Sequence, residues 1–75
     1  MIATFPVTVP LWIEPLPDGW ILHCAWNDLA QVFRSGAEAE RHARRLGKVL
    51  LAAGLRPRLT ILDRAGRLSP VRLSV

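Results

Sequence analysis

The chain has 75 residues, of which 51% are hydrophobic and 21% charged, so it can form one small core and is not a disordered polyampholyte. A single cysteine, Cys24, excludes an internal disulfide framework and a multi-cysteine zinc site. No apolar run reaches the roughly 18 residues of a membrane span, and no Lys or Arg precedes Arg34, so the N-terminus lacks the basic region of a signal peptide. We therefore expect a soluble, cytoplasmic protein with no membrane association.

The formal net charge of +4 is distributed unevenly along the chain. Residues 1–33 carry −3 and no basic side chain, whereas residues 34–75 carry +7, with nine arginines and Lys48. Such an asymmetry is typical of proteins that bind an anionic partner, but it also arises when the solvent-exposed face of a helix is rich in arginine. Both interpretations stay open at this point.

The first ten residues are predicted to form an edge strand or an irregular arm. Pro6 and Pro10 lack the N–H group that a strand inside a sheet would donate to its neighbour. We therefore expect a single domain over residues 1–75, with residues 1–10 as that arm and residues 11–75 as the core.

An antiparallel meander of three short strands is predicted next. The first strand covers residues 11–14, and a turn rich in Pro and Gly follows over residues 15–19. The second strand covers residues 20–26 and is expected to pair antiparallel with the first. Residues 30–34 form the third strand, which carries Val and Phe side chains.

One helix is predicted over residues 36–53. Ser35 and Glu38 have the spacing of a capping box, and Gly54 fits the position after the last helical residue, where a left-handed backbone conformation is common. The apolar side chains recur at three- and four-residue intervals and form a single stripe that would face a sheet: Ala39, Ala43, Leu46, Leu50 and Ala53.

A terminal hairpin completes the predicted fold. Residues 58–63 alternate apolar and polar side chains, residues 63–66 form a turn that ends in Gly66, and residues 71–75 alternate again. The fold class is therefore α+β: a mainly antiparallel sheet, built from a meander and a two-strand hairpin, with the single helix packed on one face.

The order of these elements resembles a family of short bacterial proteins grouped as a domain of unknown function. Members of that family have a Gly-Trp strand, an Ala-rich helix and a terminal hairpin with a D-x-x-G-R/K turn. The resemblance covers roughly residues 11–73 and implies the fold, but it brings no catalytic residues. It is carried by these segments: Asp18-Gly19-Trp20, Ser35-x-x-Glu38-Ala39, Ala43-x-x-Leu46, Gly54 and Leu59-x-Ile61-x-Asp63-Arg64-x-Gly66-Arg67-Leu68.

Residues that could carry chemistry are few. His23 and Cys24 are adjacent, so on a strand they point to opposite faces and cannot hold one metal ion together. His42 has no second ligand at helical spacing, and Ser35 has a sufficient role as a helix cap. Glu14 is the one carboxylate expected on a strand, whereas glycosidase or nuclease chemistry would need two in a cleft. We therefore expect no metal, no cofactor and no enzymatic activity.

The three tryptophans have two interpretations. They could form a stacking platform for unpaired bases, or they could supply the buried area that a small domain needs. We favour the second interpretation for Trp12, Trp20 and Trp26, and expect Trp12, near the first turn, to be the one that is partly exposed.

The basic helix face is the sequence feature best suited to an anionic partner. It consists of Arg41, Arg44, Arg45 and Lys48. It matches no helix-turn-helix, zinc-finger or basic-zipper pattern, so any nucleic-acid binding is expected to be weak and non-specific.

The sequence therefore predicts a non-catalytic interaction or oligomerising domain, with a homodimer as one form. The alternative is an accessory nucleic-acid-binding, antitoxin-like module that uses the basic helix face. A meander followed by a helix is similar to the partial ribonuclease-H-like folds of small antitoxins, which is an analogy of fold alone.

Overall fold

A computed structural model describes residues 7–26 and 28–73, with only the backbone of Leu29. Five strands and one helix follow one another along the chain: β1 (Thr8–Leu16), β2 (Gly19–Cys24), β3 (Leu29–Phe33), α1 (Gly36–Ala52), β4 (Arg56–Leu62) and β5 (Leu68–Val71). The predicted meander, helix and terminal hairpin are all present in the predicted order, and β1 and β2 pair antiparallel as expected.

The strands form one sheet in the order β3-β2-β1-β4-β5. Three neighbouring pairs are antiparallel, but β1 and β4 are parallel. The α+β class with a single helix is therefore confirmed, while the sheet is mixed rather than purely antiparallel. The parallel pair arises because α1 crosses over the sheet and returns the chain to the end from which β1 starts, which is the usual way to connect parallel strands.

The central strand of the sheet is β1, and this corrects the prediction that the segment before residue 11 is an edge strand or arm. Residues 8–10 belong to β1, and the rest of the predicted arm, residues 1–6, lies outside the described residues. The carbonyl of Pro10 accepts from the backbone N–H of Ala25 (3.0 Å), which shows that the nitrogen of Pro10 also points toward β2. Because the β1–β2 pairing ends there, the missing N–H of Pro10 is tolerated. Pro15 lies beyond the last residue pair of the β1–β4 ladder, Ile13 with Ile61.

The hydrophobic core lies between one face of the sheet and α1. Leu11, Leu22 and Leu59, from the three central strands, are completely or almost completely buried. On the helix, Ala39 and Ala43 are fully buried, and their small side chains let α1 lie close to the sheet. The remaining buried members of the core are Val9, Ile13, Cys24 and Leu50.

Both ends of α1 form as predicted. Ser35 is the N-cap, and its Oγ accepts from the backbone N–H of Glu38 at 3.1 Å. Gly54 follows the C-cap with φ +83°, a conformation that favours glycine. Two positions of the predicted apolar stripe differ. Leu46 is only half-buried while Gly47 is buried against the side chain of Leu73, and Ala53 is the exposed C-cap residue.

The terminal hairpin begins earlier than predicted, with β4 starting at Arg56 and β5 covering Leu68–Val71 rather than residues 71–75. Pro70 is accommodated because β5 is an edge strand. The turn forms as predicted: Asp63 Oδ1 accepts from the N–H groups of Ala65 and Arg67, both at 2.9 Å, and Gly66 has φ +83°.

Candidate functional site

The face of the sheet that points away from α1 is the candidate site, and we call it the open face. Successive side chains in a strand point to opposite faces, so the residues that alternate with the core belong to it. Among the described residues, α1 is the one helix, and its buried side chains all pack on the other face. Three large hydrophobic residues of the open face are exposed: Trp12 (37%), Val32 (64%) and Leu68 (69%).

One row of side chains crosses the open face through all five strands. Each member lies directly opposite the next in the sheet register, from β3 through β2, β1 and β4 to β5: Ala30, His23, Trp12, Thr60 and Pro70. We call this set the central row. With neighbouring strands about 4.8 Å apart, it spans roughly 19 Å.

A stacked aromatic pair lies at the middle of the central row. The rings of Trp12 and His23 have centroids 4.9 Å apart and are inclined by only 16°. Trp12 Nε1 donates to Glu14 Oε1 at 3.0 Å, and His23 Nε2 lies 3.2 Å from the same oxygen. One carboxylate oxygen therefore holds both rings in place, which lowers the conformational freedom that the two side chains would lose on binding a partner.

The two sides of the central row differ in chemical character. The side nearer the β1–β2 turn carries a second row of residues. In it, Ile21 of β2 lies between Glu14 of β1 and Val32 of β3, and Leu62 of β4 is opposite Leu68 of β5. Apart from Glu14, this side is apolar. The open face thus changes from hydrophobic to basic along the direction of the strands.

The basic side of the open face is a cleft at the end of the β4–β5 pairing. The last residue pair there is Leu59 with Val71, and the two chain segments separate beyond it. The cleft has a volume of about 600 Å³. Its arginines, Arg56, Arg58 and Arg72, alternate with residues of the covered face that also line it: Pro57, Leu59, Val71 and Leu73. No acidic side chain among the described residues lines this cleft, and none of the three arginines forms an ion pair with those residues.

The basic helix face lies on the other surface of the molecule. Arg41, Arg44, Arg45 and Lys48 are all exposed along α1, as the sequence predicts. Arg44 is engaged locally, because its Nη2 lies 2.9 Å from Glu40 Oε2 in an i, i+4 ion pair. Such an exposed pair is worth only a few tenths of a kcal/mol.

The other two tryptophans have different environments. Trp20 faces the core, packs against Gly36 and lies under the guanidinium group of Arg64 (4.9 Å to the ring centroid). Trp26 lies in the turn after β2 and is 57% exposed, so the prediction that the tryptophans supply the core is wrong for Trp26. Trp12, the tryptophan expected to be partly exposed, is 37% exposed.

Arg64 is a structural residue rather than part of a free basic surface. Its two terminal nitrogens donate to the carbonyls of Leu16 (2.8 Å) and Gly19 (3.1 Å), so it ties the hairpin turn after β4 to the turn between β1 and β2. A guanidinium group that is occupied in this way has fewer donors left for a ligand.

The candidate catalytic residues are not brought together. Cys24 is buried in the core, whereas His23 lies on the open face, as the alternation of a strand predicts. His42 packs against Phe33 with ring centroids 5.2 Å apart, on the helix side of the sheet. Over residues 7–26 and 28–73, no group of three His, Cys, Asp or Glu residues is placed to hold a metal ion.

A search of the described residues finds no helix with the length and apolar character to cross a membrane. Comparison of the chain with family models, with curated proteins and with solved structures finds no match. The resemblance to the family with the Gly-Trp strand and the D-x-x-G-R turn therefore stays a prediction.

Proposed function

We propose that this chain is a non-catalytic interaction domain and that its partner binds the open face of the sheet. The observation that carries this proposal is the uneven covering of the sheet, since α1 packs on one face and the other exposes Trp12, Val32 and Leu68. An uncovered sheet face that carries both exposed hydrophobic and charged side chains is typical of a binding surface. The stacked pair of Trp12 and His23 adds rigid aromatic area at its centre.

The basic helix face is a second candidate surface. Arg41, Arg45 and Lys48 are exposed and make no ion pair within the described part of the chain, which suits a weak, sequence-tolerant contact with phosphates. The open face is favoured because it combines charge with aromatic and apolar side chains, whereas the helix face offers charge alone.

A matched pair of valines tests which surface binds. Val32 on the open face and Val49 on α1 are almost equally exposed, at 64% and 61%. Because a carboxylate inside an apolar contact must be desolvated, Val32→Asp should weaken binding of any partner, including a second copy of the chain, by at least about tenfold. Val49→Asp should have no such effect.

Sedimentation at tens of micromolar measures self-association, and capture from a cell lysate, with and without nuclease, measures binding to other molecules. The proposal predicts that whatever binds the wild-type chain is lost from the Val32→Asp protein and kept by the Val49→Asp protein. Equal retention by both variants, or loss from the Val49→Asp protein alone, would contradict it. Circular dichroism should show the same fold for all three proteins.

A further inference from the structure

We propose that the partner of the open face is single-stranded nucleic acid, with unpaired bases stacked beside Trp12 and His23 and phosphates held by Arg56, Arg58 and Arg72. This inference rests on the proposed function, because it names the partner of the same surface. It is carried by the coincidence of a stacked aromatic pair on the open face and a basic cleft whose arginines alternate with core-facing residues at the end of the same sheet.

The two aromatic rings leave their outer faces free. Because the rings stack across neighbouring strands, those faces point along the central row, toward Ala30 on one side and Thr60 on the other. Both of these side chains are small, and we infer that each leaves a slot for a base above the sheet next to a ring. A base that enters such a slot gains stacking with no demand on its identity, since every base has a π face.

The charged groups lie where the phosphate and the base of one nucleotide would each meet a suitable partner. Arg58 is opposite Pro10 in β4 and β1, one step along the strands from the pair of Thr60 and Trp12. Phosphates would therefore lie at the basic cleft while their bases reach the central row. Glu14 lies on the far side of that row, where its carboxylate can accept a hydrogen bond from a base N–H group.

A second copy of the chain fits this face less well. Two open faces that pack together would each bring a cleft with three arginines and no lining carboxylate into a water-excluded contact. Burying unpaired guanidinium groups is unfavourable, whereas a phosphodiester backbone supplies their counterions. A duplex is also disfavoured, because its bases are already stacked on one another and cannot enter the slots.

Fluorescence anisotropy with labelled oligo(dT) and oligo(U) of about ten nucleotides tests the inference, with a duplex of equal length for comparison. We expect dissociation constants of about 10⁻⁶–10⁻⁴ M at physiological salt for the single strands and weaker binding of the duplex. Trp12→Ala should weaken single-strand binding roughly 5- to 150-fold, and Trp12→Phe should restore part of it. Trp26→Ala, which removes an equally large exposed ring outside the central row, should have no effect.

The charge contribution is tested with two double variants of equal net charge. Arg58→Gln with Arg72→Gln should flatten the dependence of log affinity on log salt by about 1.4, at about 0.7 per phosphate contact on a single strand. Arg44→Gln with Arg45→Gln, on the basic helix face, should leave that slope unchanged.

Three outcomes would overturn the inference. They are an equal loss of binding from Trp12→Ala and Trp26→Ala, a flattened slope from the helix variant alone, and no binding of any single strand below about 10⁻⁴ M. If no oligonucleotide binds while a protein or a second copy is still lost from the Val32→Asp chain, the open face is a protein-binding surface. The proposed function then stands, and the choice of nucleic acid is wrong.

Discussion

Replacing Leu22 with alanine is expected to lower the free energy of unfolding by about 2–5 kcal/mol. Leu22 is fully buried in β2, between α1 and the neighbouring strands, so the substitution leaves a cavity at the centre of the only core in the described structure. A domain of this size rarely has more than about 3–5 kcal/mol of stability, so the variant should be largely unfolded at room temperature or close to it.

Urea denaturation followed by circular dichroism measures the effect of Leu22→Ala. The matched control is Val32→Ala on the neighbouring strand, which removes an exposed side chain from the open face and should change the unfolding free energy by less than about 0.5 kcal/mol. If Leu22→Ala and Val32→Ala shift the urea midpoint equally, the assignment of Leu22 to the covered face and Val32 to the open face is wrong.

Among the glycine-to-alanine substitutions, Gly19→Ala is expected to destabilise the protein most. A Cβ at position 19 would lie 2.5 Å from the carbonyl oxygen of Phe33, and this neighbour is backbone, which cannot rotate away. The strands β2 and β3 would have to separate at this end, with a loss of about 1–3 kcal/mol. The change should also disturb the start of α1, because Phe33 precedes the N-cap Ser35 by two residues.

Gly47→Ala provides the comparison for Gly19→Ala. A Cβ at position 47 would meet the side-chain end of Leu73 at 2.9 Å, and a flexible leucine can move. Alanine also favours a helix interior by about 1 kcal/mol over glycine, so the net effect should be small. Equal thermal midpoints for the two alanine variants would show that β3 does not approach Gly19 as closely as the structure has it.

Much of the fold follows from local signals in the sequence. The cap at Ser35, the left-handed Gly54 and the turn at Asp63 each need only neighbouring residues, and all three form as predicted. The parallel pairing of β1 with β4 does not follow from such signals. It depends on which strand the chain meets after α1 has crossed the sheet.

The position of β1 was mispredicted for a specific physical reason. A proline inside a strand usually indicates an edge, but Pro10 lies where the pairing with β2 ends, so it forgoes only the terminal bond of that ladder, the one it would donate to Ala25. Once the strand is extended back to Thr8, the alternation of buried Val9 with exposed neighbours becomes visible. That alternation could have placed Trp12 and Glu14 together on the uncovered face.

The candidate site was only partly accessible from the sequence. The charge asymmetry predicts a basic surface, and the exposed basic helix face agrees with that prediction. The cleft of Arg56, Arg58 and Arg72 was missed because it joins β4 to the segment after β5, and only the strand register brings them together. The stacking of Trp12 on His23 likewise depends on a register that no local pattern specifies.

A titration followed by ¹H–¹⁵N correlation spectra tests most directly whether the open face is the binding surface. The probe is the unlabelled oligo(dT) used above, added to the ¹⁵N-labelled chain. The indole N–H of Trp12, which donates to Glu14, should shift together with the backbone amides of Ala30 and Thr60, while the indole signal of Trp20 stays in place. Shifts confined to the amides of residues 41–48, with the Trp12 indole unchanged, would show that binding uses the helix face and would contradict the account.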